Sequence, residues 1–211
     1  MEIVAEPAHC MSAVMINDNY DNYDKKGDSM KLPDNPNKSM TFDESKLSRI
    51  VLAGGCFWGT QAYIRRLPGV AQTECGYANG HTVNPDYVSV CSGETDHTEA
   101  VFVKYDADML PLGKLLAEYF KTIDPTSKNR QGGDMGTQYR TGIYYISSED
   151  EAVILQAVAE EQKKYEKPIV TEVLPLTCFY PAEAFHQDFL ERNPNGYCHV
   201  DMSKLPKENG L

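Results

Sequence analysis

Cys56 is the side chain best placed for chemistry, because it lies where an apolar run gives way to a helical pattern. Residues 50–53 predict a buried strand, the glycines at 54 and 55 allow a tight turn, and residues 60–67 predict a helix. The positive end of a helix dipole can lower a cysteine pKa by about one unit or more, which favours a nucleophilic thiolate. Phe57 and Trp58 add a small aromatic platform beside the sulfur. The alternative is a buried structural cysteine, which is a common fate of this residue.

Polar side chains in two long loops and at one strand start could assist such a sulfur. Tyr87 and Tyr139 lie in polar segments at 78–93 and 124–139, Asp134 lies in the second segment, and Glu99 begins a predicted strand. These groups suit a reaction in which sulfur attacks while an oxygen is protonated and held. Glu99 could instead be a solvated strand end, and the tyrosines could simply pack through their rings.

Other chemistries have weaker support. The chain has no Cys-x-x-Cys or His-Glu-x-x-His pair, and His97-Thr98-Glu99 copies only half of a zinc deaminase signature. The glycines at 132–136 are not followed by Lys-Ser/Thr, so a phosphate loop is not indicated. A hydrolase dyad of Cys56 with His186 on an amphipathic helix remains an alternative.

Composition narrows the partners and the compartment. The chain has 211 residues, a net charge of -11 and six cysteines, and no apolar run approaches the about 20 residues of a membrane span. The negative charge argues against nucleic acid or a membrane as partner. With no visible secretory signal, we expect a cytoplasmic monomer whose cysteines are free or redox-active.

The predicted elements favour an α+β fold. Residues 1–46 form a polar extension that is either disordered or wraps the domain, 47–201 form the catalytic domain, and 202–211 a C-terminal tail. The order strand, helix, strand, strand, helix, strand is that of a split βαβ pair, which predicts a two-layer ferredoxin-like sandwich with a mixed sheet. Beyond the first strand and helix, we predict strands at 70–77, 99–105, 141–146 and 171–179, and helices at 112–123, 148–166 and 182–192.

The segment Gly55-Cys56-Phe57-Trp58-Gly59 resembles the signature of the A-class peptide methionine sulfoxide reductases. The resemblance extends in order over residues 48–201, outside the N-terminal extension. Its further blocks are Gly76-Tyr77-Ala78, Asn84-Pro85-Asp86-Tyr87, Val90-Cys91-Ser92-Gly93, His97-Thr98-Glu99, Asp124-Pro125-Thr126, residues 131–140, residues 179–183, Asn193-Pro194 and Gly196-Tyr197-Cys198.

The resemblance implies thiol-dependent reduction of methionine S-sulfoxide, free or in peptides and proteins, without a metal or prosthetic cofactor. It assigns the nucleophile to Cys56 and the pocket for the substrate methyl group to Phe57 and Trp58. Glu99 would protonate the sulfoxide oxygen with help from the hydroxyls of Tyr87 and Tyr139, and Asp134 would order a water or the polar end of the substrate.

The resemblance also implies a Cys56 sulfenic acid that a second thiol resolves as a disulfide. Cys198 is the expected resolving thiol, and Cys75 and Cys178 are competitors. The family's glycine-rich C-terminal extension with another cysteine is absent, so we expect a thioredoxin-like partner to reduce a Cys56–Cys198 disulfide directly. A non-enzymatic thiol redox sensor using that disulfide is a further alternative.

Overall fold

The computed structural model describes residues 32–206, in which eight strands and five α-helices are assigned. The strands are β1 Leu47–Ala53, β2 Val70–Ala78, β3 Thr98–Asp106, β4 Arg130–Gln131, β5 Asp134–Met135, β6 Gly142–Tyr145, β7 Glu172–Pro175 and β8 Phe179–Pro181. The helices are α1 Phe57–Ile64, α2 Tyr87–Cys91, α3 Leu112–Phe120, α4 Glu151–Gln162 and α5 Phe189–Arg192.

The main sheet has the strand order β7-β6-β1-β3-β2-β8. Its central strands β6, β1, β3 and β2 pair antiparallel, with β3 between the two strands that α1 connects. At the edges, β7 runs parallel to β6 and β8 runs antiparallel to β2, so the sheet is mixed. The predicted ferredoxin-like α+β sandwich is confirmed.

The core lies between this sheet and the helices, as the apolar patterns require. Ile50 and Leu52 of β1 join one buried cluster, and the alternate residues Val51 and Ala53 join a second cluster. The apolar side chains on one face of α3 are buried, and the hydroxyl of Tyr119 on this helix donates to the carbonyl oxygen of Ala53 at 2.6 Å. That bond ties α3 to the end of the strand that leads to Cys56.

Several predicted boundaries are wrong for identifiable reasons. Helix α1 begins at Phe57 rather than at residue 60, and the loop at 78–93 contains α2, which Asp86 and Ser89 cap reciprocally. The predicted strand at 171–179 is two strands, because its first half pairs with β6 and its second with β2. The predicted helix at 148–166 starts with a 3-10 turn that Ser147 caps, and α4 ends at 162.

The predicted helix at 182–192 forms only as α5, at residues 189–192. Asp188 has a left-handed backbone with φ of 53°, which interrupts any helix entering from the preceding residues. The Gln187 side chain also bonds the backbone N–H and the carbonyl oxygen of Cys75. Residues 182–188 therefore follow the edge of the sheet instead of continuing α5.

The described part of the N-terminal extension packs on the domain. The Asn37 side chain donates to the carbonyl oxygens of Arg65 and Leu67 and accepts from the Gly69 backbone N–H, at 2.9–3.0 Å. Arg66 donates to the carbonyl oxygen of Pro33. Residues 32–46 thus contact the end of α1. The prediction that the extension is either disordered or wraps the domain also covers residues 1–31, which lie outside the described residues.

Candidate active site

Cys56 lies at the turn between β1 and α1, as the sequence predicts. It is the residue immediately before α1, it is only 8% exposed, and Gly55 before it has a positive φ of 73°. A Cβ on Gly55 would lie 2.6 Å from Gln131, so this turn requires glycine for both conformation and space. The site is therefore built on rigid backbone at the end of a central strand.

The expected lowering of the Cys56 pKa is wrong. Burial raises the pKa of the thiol well above its usual value, and the nearby carboxyl groups of Glu99 and Asp134 raise it further. A hydrogen bond from the Trp58 backbone N–H acts in the opposite direction but is the weaker effect. Desolvation of the charged form outweighs the effect of the helix terminus, so Cys56 is a protonated thiol in this site.

Glu99 on β3 faces the start of α1 and is only 2% exposed. Its Oε2 accepts a hydrogen bond from the Phe57 backbone N–H at 3.1 Å, which occupies one of the free donors of the helix terminus. Burial raises the Glu99 pKa to about 8, against the opposing effect of that hydrogen bond. The interpretation as a solvated strand end is therefore wrong, and Glu99 is a largely neutral carboxyl that can donate a proton near pH 7.

Two tyrosines and Asp134 complete this polar cluster. Tyr87 begins α2 and Tyr139 ends a 3-10 turn; both are buried, and their side chains hydrogen-bond to each other. Burial, followed by the nearby Glu99, raises the pKa of both phenols, so each keeps its proton. They therefore combine ring packing with polar contacts in the site.

Asp134 on β5 is 3% exposed, and its Oδ2 has no hydrogen-bond partner among residues 32–206. Burial raises its pKa to about 6, while a hydrogen bond from Tyr197 lowers it. The Tyr197 hydroxyl also accepts from the Gly133 backbone N–H at 3.2 Å. A buried carboxyl oxygen without a partner is costly, so Oδ2 is suited to bind a water or a polar substrate group.

Phe57 and Trp58 form the aromatic part of the site, and both rings are buried. Trp58 stacks on Phe189 with centroids 3.8 Å apart, and its Nε1 donates to Nδ1 of His186 at 3.1 Å. The Phe57 ring also packs on His186, at 5.0 Å between centroids. The platform expected from the sequence is therefore held by residues from the end of the chain.

His186 does not form the nucleophile–base pair of a hydrolase in this structure. It lies before α5 rather than inside a helix, and its Nδ1 accepts the bond from Trp58. Burial lowers its pKa to about 4, so the ring is neutral and packs against Tyr87. His186 thus orients aromatic groups, a role that sequence reasoning missed because no periodicity marks it.

Glu183 was also missed and connects the two halves of the site. One of its carboxylate oxygens accepts from the Tyr77 hydroxyl at 2.7 Å, and the other accepts from the Tyr87 backbone N–H at 2.9 Å. It thereby fixes the first residue of α2 against strand β2. Its position beside Pro181 and Ala182 in a family block is the only sequence signal for it.

The cysteines differ in their surroundings. Cys198 Sγ lies against Gly59 in the first turn of α1, since a Cβ on that glycine would come within 3.0 Å of it. Burial raises the pKa of Cys198 to about 11. Cys75 is fully buried on β2 with Sγ 3.8 Å from the Phe57 carbonyl oxygen, and Cys178 lies near the Gly80 carbonyl oxygen.

The sequence predicts cysteines that are free or redox-active, and Cys91 is disulfide-bonded. Cys56, Cys75, Cys178 and Cys198 are free. Within residues 32–206, no group of three or more His, Cys, Asp or Glu side chains could hold a metal ion. No helix in this part of the chain is long and apolar enough to cross a membrane.

Comparison with known proteins gives a consistent result. The family model for peptide methionine sulfoxide reductase matches residues 48–209. A relative from Clostridium acetobutylicum, a peptide methionine sulfoxide reductase MsrA, is 53% identical over 161 residues, which are 76% of this chain and 99% of the relative. The structure is similar to that of reduced Mxr1 from Saccharomyces cerevisiae, with a TM-score of 0.72, 36% identity and coverage of 78% of this chain and 96% of Mxr1. It is also similar to Mxr1 in a complex with Trx2, with a TM-score of 0.51, 27% identity and coverage of 72% and 91%.

Proposed function

This chain belongs to the peptide methionine sulfoxide reductase family, and we propose that Cys56 is the nucleophile with which it reduces methionine S-sulfoxide. The observation that carries the proposal is the neutral, buried Glu99 carboxyl, which bonds the backbone N–H of the residue after Cys56. A sulfoxide is a poor electrophile until its oxygen receives a proton or a strong hydrogen bond. An acid beside the thiol therefore matches the demand of the reaction.

In the bound state, Phe57 and Trp58 hold the substrate methyl group. The sulfoxide oxygen then receives hydrogen bonds from the Glu99 carboxyl and from the hydroxyls of Tyr87 and Tyr139. Asp134 Oδ2 holds a water or the polar end of the substrate, which supplies the partner that this buried atom lacks. The burial of these groups strengthens each contact, because little water competes inside the site.

The chemical step balances without an external reagent. Glu99 gives its proton to the sulfoxide oxygen while Cys56 Sγ bonds to the substrate sulfur, and the thiol proton restores the Glu99 carboxyl. The sulfur–oxygen bond of the substrate and the new bond between the two sulfur atoms then break as the hydroxyl group passes to Cys56. Methionine leaves as the reduced product, and Cys56 remains as the oxidised sulfenic acid.

We propose that Cys198 resolves this sulfenic acid as a Cys56–Cys198 disulfide and that a thioredoxin-like dithiol reduces the disulfide. Two observations support this part: Cys198 Sγ lies against the first turn of α1, and the similar Mxr1 forms a complex with Trx2. Each turnover consumes two electrons from thiols, so we also propose that the protein works in the reducing cytoplasm without a prosthetic cofactor.

We also propose that residues 1–46 form an N-terminal extension, 47–201 the catalytic domain and 202–211 a C-terminal tail. We propose further that the protein is a monomer and does not act on nucleic acid or membranes. The net charge of -11 supports the absence of these two partners, because an acidic protein is repelled by phosphate-rich surfaces.

A single turnover tests the proposal. Reduced protein is mixed with excess methionine S-sulfoxide and no reductant, and the products and disulfides are mapped by mass spectrometry, with the R epimer as the control. We expect about one methionine per protein and a Cys56–Cys198 disulfide from the S epimer only. Absence of methionine would refute the reductase role, and in that case peroxide-driven formation of the same disulfide would favour the sensor alternative.

A further inference from the structure

His199 follows the proposed resolving cysteine and lies in a cradle made by three glycines. Its Nε2 donates to the carbonyl oxygen of Gly54 at 3.0 Å. A Cβ on Gly55 would lie 3.1 Å from His199 Cε1, and a Cβ on Gly132 would lie 3.1 Å from His199 Cβ. Both of these glycines have positive φ, at 73° and 58°, which favours glycine. The absence of a side chain at positions 55 and 132 leaves the space in which His199 lies.

The hydrogen bond defines the state of the ring. Because a carbonyl oxygen only accepts, Nε2 carries the hydrogen, and Nδ1 then has a lone pair. Nδ1 is buried without a hydrogen-bond partner among the described residues. Burial lowers the His199 pKa to about 4, so the ring is neutral and the bond to Gly54 persists at pH 7.

The neighbours of His199 lie against the same turn. Val200 is buried, and its Cγ2 would lie 2.9 Å from a Cβ on Gly59. The Cys198 thiol donates to the Val200 carbonyl oxygen at 3.4 Å while its Sγ touches the Gly59 position. Residues 198–200 therefore lie along the turn from Gly54 to Gly59, which contains Cys56.

Contacts on either side of these residues reach different parts of the domain. Tyr197 bonds Asp134 and Gly133, and the Tyr63 hydroxyl lies 2.8 Å from the carbonyl oxygen of Lys204. Neither contact reaches the turn that carries Cys56. Among the hydrogen bonds of residues 197–205, the one from His199 to Gly54 is thus the contact made directly to that turn.

We propose that His199 is a positioning residue for the resolving step, an inference that rests on the proposed function. Its bond to Gly54 holds residues 198–200 on the Cys56 turn. The Cys198 thiol therefore stays close to the sulfenic acid, and less conformational entropy is lost when the two sulfur atoms react. Cys198 Sγ bonds to Cys56 Sγ and the sulfur–oxygen bond of Cys56 breaks. The hydroxyl leaves with the Cys198 proton as water, so Cys198 is oxidised and the Cys56 sulfur is reduced.

The test compares the variants His199→Ala and His199→Gln with the unmodified chain in a single turnover without reductant. Rapid quenching follows methionine formation and Cys56–Cys198 disulfide formation as separate rates. We expect His199→Ala to slow disulfide formation by about tenfold or more, with methionine formation unchanged. The His199→Gln variant recovers part of the rate, because an amide N–H can also donate to Gly54. His81→Ala is the matched control, since His81 is an exposed histidine in the loop before α2.

The possible outcomes distinguish failure of the positioning role of His199 from failure of the proposed function. An unchanged disulfide rate in His199→Ala, or an equal fall in both rates, overturns the positioning role. If a thermal melt shows that His199→Ala does not fold, His199→Gln tests the positioning role instead. A slower rate of disulfide formation at an unchanged rate of methionine formation supports that role. Two unchanged rates, or two equally reduced rates, overturn it. If the unmodified chain forms no methionine, the proposed function is refuted. If it forms methionine without a Cys56–Cys198 disulfide, the assignment of Cys198 is refuted. Either result also refutes the positioning role of His199.

Discussion

Replacing Glu99 with glutamine preserves the size of a fully buried side chain and removes its acidic proton. With a pKa of about 8, roughly nine in ten Glu99 side chains are neutral at pH 7 and can donate. General acids of this kind contribute on the order of 10²–10⁴-fold to a rate. We therefore expect Glu99→Gln to lower the rate of methionine formation by about that factor. The amide still donates a hydrogen bond to the sulfoxide oxygen, so substrate affinity falls less than the rate.

The pH dependence of the unmodified enzyme tests the same reasoning. The active form of Glu99 is the protonated one, and its fraction falls from roughly nine-tenths at pH 7 to roughly one-tenth at pH 9. The rate of methionine formation should therefore fall about tenfold over this interval, and the residual rate of Glu99→Gln should not follow it. Because the folded pKa lies above the ordinary value of 4.5, the folded state binds this proton more tightly. The unfolded chain loses this proton from about pH 4.5, whereas the folded state keeps it until about pH 8, so the free energy of unfolding falls over this interval. This fall is absent in the variant.

The assay is rapid-quench measurement of methionine in single turnovers between pH 6 and pH 9.5, with thermal melts at the same pH values. Glu161→Gln is the matched control, because Glu161 on α4 is also buried but pairs with Lys164 away from Cys56. A Glu99→Gln rate within about threefold of the unmodified enzyme would refute the role of Glu99 as the acid. A rate that stays level through pH 8 would refute the neutral carboxyl as the active form.

Three further variants probe other parts of the molecule. Cys198→Ala should lose steady-state turnover with a thioredoxin-like reductant and retain the Cys56 sulfenic acid, detected by a dimedone adduct; a disulfide from Cys56 to Cys75 would contradict this. Trp58→Ala should lower kcat/KM by about tenfold or more, because a pocket for one methyl group is worth about 1–3 kcal/mol; an unchanged value would remove Trp58 from the pocket. Asn37→Ala should lower the free energy of unfolding in urea by about 2–3 kcal/mol through its lost buried hydrogen bonds, and an effect below about 0.5 kcal/mol would show that the extension does not stabilise the domain.

The fold was predictable where local pattern and tertiary packing agree. The alternation in β3 and the apolar stripe on α3 each mark a buried face, and both elements form within a few residues of the predicted bounds. Their order along the chain then leaves few sheet topologies available. Predictions were wrong where a distant contact overrode the pattern, as at Gln187, whose side chain bonds the backbone of Cys75 instead of continuing α5.

The candidate site was only partly predictable for the same reason. Cys56, Phe57 and Trp58 are adjacent in sequence, so one motif is enough to find them. Other parts of the site depend on residues far along the chain: His186 accepts from the Trp58 indole, and His199 donates to Gly54 and so ties residues 198–200 to the turn. The pattern around His186 predicted a helix that does not form there, and no pattern marks His199, so their contacts follow only from the tertiary fold.

The Cys56 pKa shows how local reasoning can give the wrong sign. A helix N-terminus is visible in the sequence and favours a thiolate, but burial and two facing carboxyl groups are properties of the folded site. These groups also explain why a protonated thiol suits the reaction. A permanent thiolate beside Glu99 would repel the ionised carboxylate left after proton donation, whereas a thiol returns its proton to that carboxylate as the sulfur attacks. In the proposed mechanism, the site therefore keeps both protons until a sulfoxide oxygen accepts one, so the thiolate forms only in the substrate complex.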